Sequence, residues 1–247
     1  MLLEGKTALI TGCSRGIGRS IALAYARQGA TVWANARQEG SLAGLMQDAD
    51  EQACAGKIVP AYFDVADRQA VRNCFLRIKK EAGRLDVLVN NAGVMKDALI
   101  GMISDEDLRA TFDVNVFAVV HMIQYAAKLM TSQGSGSIIN LASVVAIRGN
   151  RGHMAYSASK GAVISLTKTA SCELSPRGIR VNAVAPGVID TDMYRSAPPA
   201  AQSHLLGQVG MGKVGSPEDV ANACVFLGSD LSSYVSGQVL GVDGGYL

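Results

Sequence analysis

Thr7-Ala8-Leu9-Ile10-Thr11-Gly12-Cys13-Ser14-Arg15-Gly16-Ile17-Gly18 is the stretch whose reading decides the fold. Thr7 to Thr11 has the apolar run of a short buried strand, Gly12 breaks it, and Gly16 to Gln28 follows with helical spacing. Three glycines fall at the turn and the first helical residues, so a phosphate can approach the backbone closely while the helix N-terminus faces it. A tight strand-to-helix crossing also needs glycine for purely steric reasons. The place of this cluster, directly after the first strand, is what points to a nucleotide. Its spacing, with three residues between Gly12 and Gly16, departs from the common G-x-G-x-x-G.

The same cycle recurs outward from this turn. Thr31 to Ala36 is strand-like, Ala61 to Phe63 follows a polar helical stretch, and Val87 to Val89 comes after the amphipathic segment Arg68 to Ala82. One long helix is expected from about Asp105 to Met130, then a strand Ser137 to Leu141, a helix through Tyr156 to Glu173 and a strand Arg180 to Ala183. Pro217 to Leu227 and Gln238 to Val242 supply a last helix and strand. The fold class is therefore α/β, a Rossmann-type doubly wound parallel sheet of about seven strands with helices on both faces, binding its ligand beyond the strands' carboxyl ends. Residues 1–247 read as one domain, since no stretch has linker composition.

Composition narrows the classes further. Glycine at 27 residues and an apolar share of 49% suit a sheet buried on both faces and argue against disorder. A formal charge of +2, with Lys and Arg scattered, makes nucleic acid a poor partner. The five cysteines are odd in number and far apart, which fits reduced thiols in a cytoplasm. Glu4 and Lys6 interrupt the start, so it does not read as a signal peptide, and no later run approaches the roughly 20 apolar residues of a membrane span. His121, His153 and His204 are dispersed and lack acidic partners at ligand spacing, so no metal site is expected.

The end of the second strand specifies the nucleotide. NAD-binding sheets usually carry there an Asp or Glu for the ribose 2′-hydroxyl, whereas this strand ends Asn35-Ala36-Arg37. Arg37 and Arg15 are both placed to reach an adenosine 2′-phosphate, and a guanidinium suits phosphate geometry. NADP(H) is the expected cofactor, although two solvated surface arginines, with Glu39 close by, would look the same in sequence.

Tyr156-Ser157-Ala158-Ser159-Lys160 puts a phenol and an ammonium one helical turn apart on one face. A cation about 4 Å away at an effective dielectric of 20 contributes roughly 4 kcal/mol, enough to bring a phenol down by about three pKa units. By itself this spacing is common on exposed helix faces. Ser143 sharpens it, because it follows the strand Ser137 to Leu141 and so belongs at the carboxyl edge of the sheet, where its hydroxyl can orient a carbonyl or merely cap the next segment. Asn115 is a polar residue inside an apolar helical pattern and needs partners, either a water relay behind Lys160 or backbone groups. His153 borders the cleft or starts the helix of Tyr156, and Met193 and Tyr194 line a channel or pack.

Taken together, Thr11-Gly12-x-x-x-Gly16-x-Gly18, Asn90-Asn91-Ala92-Gly93, Asn115, Ser143, Tyr156-x-x-x-Lys160 and Pro186-Gly187 resemble the short-chain dehydrogenase/reductase family over Leu3 to Leu247. The resemblance implies a cofactor site formed by Gly12, Ser14, Arg15, Gly16, Ile17, Gly18 and Arg37, by Asp64 with Val65 at the adenine, and by Asn91, Ala92 and Gly93 on the adenosine side. It further implies Pro186, Gly187, Ile189 and Thr191 at the nicotinamide end, with Asn90 bracing the sheet. By the same resemblance Tyr156 protonates a carbonyl oxygen as hydride arrives, Lys160 binds the nicotinamide ribose and tunes Tyr156, Ser143 polarises the carbonyl and Asn115 completes a tetrad.

Within the family, Lys96-Asp97-Ala98-Leu99, Val188 to Met193 and Gly215 to Asp219 look most like 3-oxoacyl-[acyl-carrier-protein] reductases, which implies reduction of a 3-oxoacyl thioester and an acyl carrier protein as partner. One departure bears on that partner: Thr131 to Ser137 has no basic residue, leaving Lys128 and Arg177 to supply positive charge. Rival readings are an oxidoreductase of a small alcohol, sugar or polycyclic ketone, decided by a mobile lid over Tyr194 to Gly212, and a non-catalytic cofactor-binding regulator or scaffold. The apolar helices through Val114 to Met130 and Ala162 to Ala170 exceed what one sheet face needs; relatives pair them between subunits, so a homotetramer is expected.

Overall fold

The computed structural model describes residues 1–246; Leu247, the last residue of the expected domain, lies outside the described residues. Seven strands, β1 (Thr7–Ile10), β2 (Thr31–Ala36), β3 (Lys57–Tyr62), β4 (Val87–Asn90), β5 (Gly136–Leu141), β6 (Ile179–Pro186) and β7 (Val239–Val242), form one parallel sheet in the order β3-β2-β1-β4-β5-β6-β7. The order reverses between β1 and β4, so the crevice of a doubly wound sheet opens beyond Ile10 and Asn90.

Period-two alternation assigns each strand's side chains to two cores. Ala8, Ile10, Val87 and Val89 face α1 (Gly16–Arg27), α2 (Ala43–Glu51) and α10 (Pro217–Gly228). Leu9, Trp33 and Leu88 face α3 (Arg68–Glu81), α5 (Ala118–Gln133) and the end of α7 (Met154–Leu174). The first core is locked where Tyr25, fully buried in α1, donates its hydroxyl to the Cys224 carbonyl of α10 at 2.7 Å. α10 begins with a capping box, the Ser216 hydroxyl accepting from the Asp219 N–H behind Pro217.

Two expectations are corrected. The strand read over Ala61 to Phe63 covers Lys57–Tyr62 and includes Pro60, which is tolerated because β3 is an edge strand. The helix read as continuous from Asp105 to Met130 is α4 (Asp105–Phe112), a π-helical turn over Asp113–Phe117, and α5. The Asn115 side chain sits in that turn, fully buried, where an inserted residue lets the helix meet a polar loop. Short helices α6 (Val145–Arg148), α8 (Asp192–Arg195) and α9 (Pro199–Gly207) complete the carboxyl edge.

Among the described residues no helix is long and apolar enough to cross a membrane, and no group of three His, Cys, Asp or Glu side chains could hold a metal.

Candidate active site

The glycine turn is held open by hydrogen bonds from three strands. Asn35 at the end of β2 accepts from the Gly12 N–H at 3.3 Å and donates to the Phe63 carbonyl at 2.9 Å. Its amide braces the turn at the strand end where an acid is usual. Thr11, to which the sequence assigned no role, accepts from the N–H groups of Asn91 and Ala92, both at 2.9 Å. Asn91 returns its amide to the Thr11 carbonyl at 2.8 Å. The turn and the Asn91–Gly93 loop are thereby one surface.

Steric details fit a dinucleotide on that surface. A methyl group at Gly12 would press the Ala92 backbone at 3.0 Å, and one at Gly18 would overlap the Gly12 carbonyl. At Gly93 it would enter the space between Asn115 Oδ1 (3.3 Å) and Lys160 Nζ (3.4 Å). α1 has no side-chain N-cap and no acid in its first turn, so its N–H groups remain available to an anion. Ser14 is exposed and Ile17 half-buried at this helix start. Gly16, at φ +55°, comes within 3.5 Å of Thr191 Cγ2 once a methyl is added, so Thr191 and the buried Ile189 face the turn from the β6 side. Pro186 ends β6, and Gly187 backs onto Asp243 with no room for a side chain.

Arg37 is exposed and has no ion-pair partner among the described residues. Arg15, also exposed, lies 3.8 Å from Asp192, a pairing across the cleft that sequence spacing does not announce. Asp64 is exposed and accepts from the Ala66 N–H at 2.9 Å, while Val65 is buried. Asn90 donates to Asn140 Oδ1 at 2.8 Å, tying β4 to β5, as a bracing role requires.

The four residues expected to do chemistry converge at the end of β5. Ser143 lies just beyond that strand, its hydroxyl beside the Tyr156 phenol on α7. Lys160, one turn further along α7, is buried and donates to the Leu141 carbonyl at 2.7 Å. Asn115 meets the second of its two expected roles: its amide donates to the Val94 carbonyl (2.9 Å) and Ser159 Oγ (3.0 Å), and its oxygen accepts from the Val94 N–H (2.9 Å). Ser159, to which the sequence assigned no role, passes the contact on to the Tyr156 carbonyl at 2.7 Å.

Electrostatics here run opposite to the simple expectation. Burial pushes the Tyr156 phenol above its ordinary value; the Ser143 hydroxyl pulls it down, and the Asp97 carboxylate adds to the rise. The Lys160 ammonium lies 5.8 Å from the phenol ring centroid, and burial brings it down to about 8. Burial dominates both groups, so the phenol does not show the three-unit fall that fixed charges imply.

The segment expected to form a lid, Tyr194 to Gly212, starts within α8 and runs through α9. Asp190 pairs with Arg195 at 2.8 Å at its start, Met211 N–H bonds the Gly244 carbonyl at 2.9 Å at its end, and α9 between them buries none of its residues.

Comparison with known proteins agrees with the geometry. A family model described as enoyl-(acyl carrier protein) reductase matches residues 12–247. The chain is 44% identical over 245 residues to a 3-oxoacyl-[acyl-carrier-protein] reductase of Thermotoga maritima (99% of both chains). It is 39% identical over 244 residues to a 3α-hydroxysteroid dehydrogenase of Mediterraneibacter gnavus, covering 99% of this chain and 98% of the other. Among solved structures, a protein of Beutenbergia cavernae assigned as an NAD(P)-dependent gluconate 5-dehydrogenase, with NADP bound at low occupancy, superposes with a TM-score of 0.92 at 36% identity (98% and 97% of the two chains).

The chain belongs to the short-chain dehydrogenase/reductase family. It is an oxidoreductase acting on CH–OH and C=O groups with NADP(H).

Proposed function

We propose that this chain reduces a 3-oxoacyl thioester, linked to acyl carrier protein or coenzyme A, to the 3-hydroxyacyl thioester. The observation that carries the reading is the convergence of Ser143, Tyr156 and buried Lys160 at the end of β5, with exposed Leu99, Ile100 and Met154 lining a cavity on neighbouring segments. The likeness to the Thermotoga maritima reductase over the whole chain supports the substrate class.

Reduced nicotinamide supplies a hydride when bound. Ser143 donates a hydrogen bond to the ketone oxygen and orients it. Tyr156 gives that oxygen its proton; a phenol held above its ordinary value keeps the proton until charge develops on its acceptor. Lys160 holds the nicotinamide ribose, and Asn115 fixes the Val94 loop against α7. The glycine turn, Arg15, Arg37, Asp64, Val65, Asn91 to Gly93, Pro186, Gly187, Ile189 and Thr191 hold NADP(H). Residues 1–247 work as one cytoplasmic domain in a homotetramer built on the helices through Val114 to Met130 and Ala162 to Ala170, where Phe117 stands exposed.

Loss of NADPH absorbance with an acetoacetyl thioester tests this reading, in parallel with NADH and with Tyr156→Phe. NADPH consumption by the wild type, with Tyr156→Phe slower by about 10³-fold, is the expected result. No consumption by the wild type overturns the substrate. The likenesses to a steroid dehydrogenase and a sugar-acid dehydrogenase then favour the second reading, oxidation or reduction of a small or polycyclic alcohol.

A further inference from the structure

Lined in part by Leu99, Ile100 and Met154 is a cavity of about 460 Å³ between Ala98–Gly101 and the loop carrying Asn150, Arg151, Gly152 and Met154. Arg151 on this loop lines the cavity, and Arg148, which ends α6 three residues earlier, is exposed like it. They project from fixed backbone. Ala98 N–H bonds the Gly152 carbonyl at 2.9 Å, Arg148 N–H the Val144 carbonyl at 3.0 Å, and the Asn150 amide meets His153 Nδ1 at 3.0 Å.

Their charge is uncompensated. Of the carboxylates on the facing segments, Asp97 lies 3.4 Å from His153 and Asp107 pairs with Lys96 at 3.5 Å; neither arginine has an ion-pair partner among the described residues. Nor do these arginines face the cofactor's phosphates. The glycine turn follows β1 and Arg37 follows β2, whereas this loop follows β5, three strand spacings or about 14 Å from β2. Lys128 and Arg177, the cations the sequence offered for an acidic carrier, stand towards the amino edge of the sheet within one chain: Lys128 lies in the last turns of α5 before β5, and Arg177 two residues before β6. Arg148 and Arg151 are exposed cations that follow β5 at the carboxyl edge, the edge that carries Ser143.

We propose that Arg148 and Arg151 bind the phosphate of the substrate's phosphopantetheine arm, the anionic group shared by coenzyme A and carrier-protein thioesters. This rests on the thioester reading above. Two guanidiniums displayed from a pinned loop suit bidentate phosphate recognition, and the apolar floor of Leu99, Ile100 and Met154 suits the arm itself.

The test compares acetoacetyl-4′-phosphopantetheine with acetoacetyl-pantetheine, substrates that differ only by the phosphate. In the wild type the phosphorylated substrate is expected to have the higher kcat/KM by about 10-fold or more, through KM. The ratio should fall with added salt, and in the Arg148→Gln/Arg151→Gln double variant it should collapse toward one. Because the ratio is taken on one enzyme, partial loss of folded protein cancels, and the salt series on the wild type stands even if the variant does not fold. A wild-type ratio near one overturns the phosphate site while leaving thioester reduction intact; failure of the wild type to reduce either substrate overturns both. With coenzyme A and carrier-protein thioesters as further arms, loss on both in the variant supports the shared phosphate. Loss on coenzyme A alone assigns the arginines to its nucleotide phosphates, and loss on the carrier alone assigns them to the carrier surface; either overturns the proposal.

Discussion

The two halves of the carboxyl edge use glycine for opposite reasons. On the β1–β4 side, a methyl group at Gly12, Gly18 or Gly93 meets backbone or site side chains; these residues are glycine because nothing larger fits. On the substrate side, a methyl group at Gly101, Gly149, Gly152, Gly207 or Gly212 meets nothing within 4 Å. The first half is a mould whose shape is its backbone, and the second is an open rim whose chemistry lies in its side chains. A mould for one fixed ligand leaves its mark in glycine spacing; a rim leaves only a scatter of apolar and basic residues.

The contrast can be broken most severely at Gly18. Gly18→Ala drives a methyl into the Gly12 carbonyl and the Asn91 amide, both backed by strands that cannot give way. Overpacking of this kind is expected to cost about 3 kcal/mol or more, together with loss of NADPH binding, read by thermal unfolding and fluorescence titration. A variant that melts like the wild type and still binds NADPH would show the mould to be soft.

How much of this was legible in the sequence follows the same divide. The glycine turn, the missing acid after β2 and Ser143 could be placed because each sits at a fixed offset from a strand end, and Tyr156 and Lys160 because they stand one helical turn apart. Asn115 was legible as a polar residue in an apolar helix, but not the π-helical turn that seats it, since the turn exists to meet Val94, twenty-one residues away in the chain. Thr11, Ser159 and the Arg15–Asp192 pair act through contacts that only the fold brings together. The direction of the Tyr156 shift was missed because burial of both partners, invisible in a helical spacing, outweighs their mutual attraction.

Lys160 sharpens the comparison at the seam between mould and rim. In the folded chain burial brings its ammonium down to about 8, against 10.5 for the free group. Between those values the unfolded chain holds a proton the folded chain has released, so this site's contribution to stability rises as pH rises from 8 to 10.5 and is least below 8. The span is about 3 kcal/mol at most. Lys160→Met, freed of the buried charge, should unfold at higher urea than the wild type at pH 7, less about 1 kcal/mol for the lost bond to Leu141, and the advantage should shrink towards pH 10 while reductase activity is lost at every pH. A constant difference across pH would mean that the ammonium is solvated where it stands.

The smallest effect is the most specific to the rim. Gly101 lies in the 3-10 turn Ile100–Met102, exposed, with no neighbour for a methyl group and with φ outside the left-handed region that would make alanine strained. Alanine there removes conformations from the unfolded chain without asking the folded chain to move, so Gly101→Ala should stabilise by about 0.5 kcal/mol. That amounts to a melting shift of about 1–2 °C upward in a chain of this size. The shift is opposite in sign to that of Gly18→Ala, and the sign carries the information: both substitutions add one methyl group at the carboxyl edge, and only the space around it differs. A downward shift at Gly101 would mean that the rim closes on itself in solution, and the distinction between a moulded half and an open one would fail on the side where it is drawn.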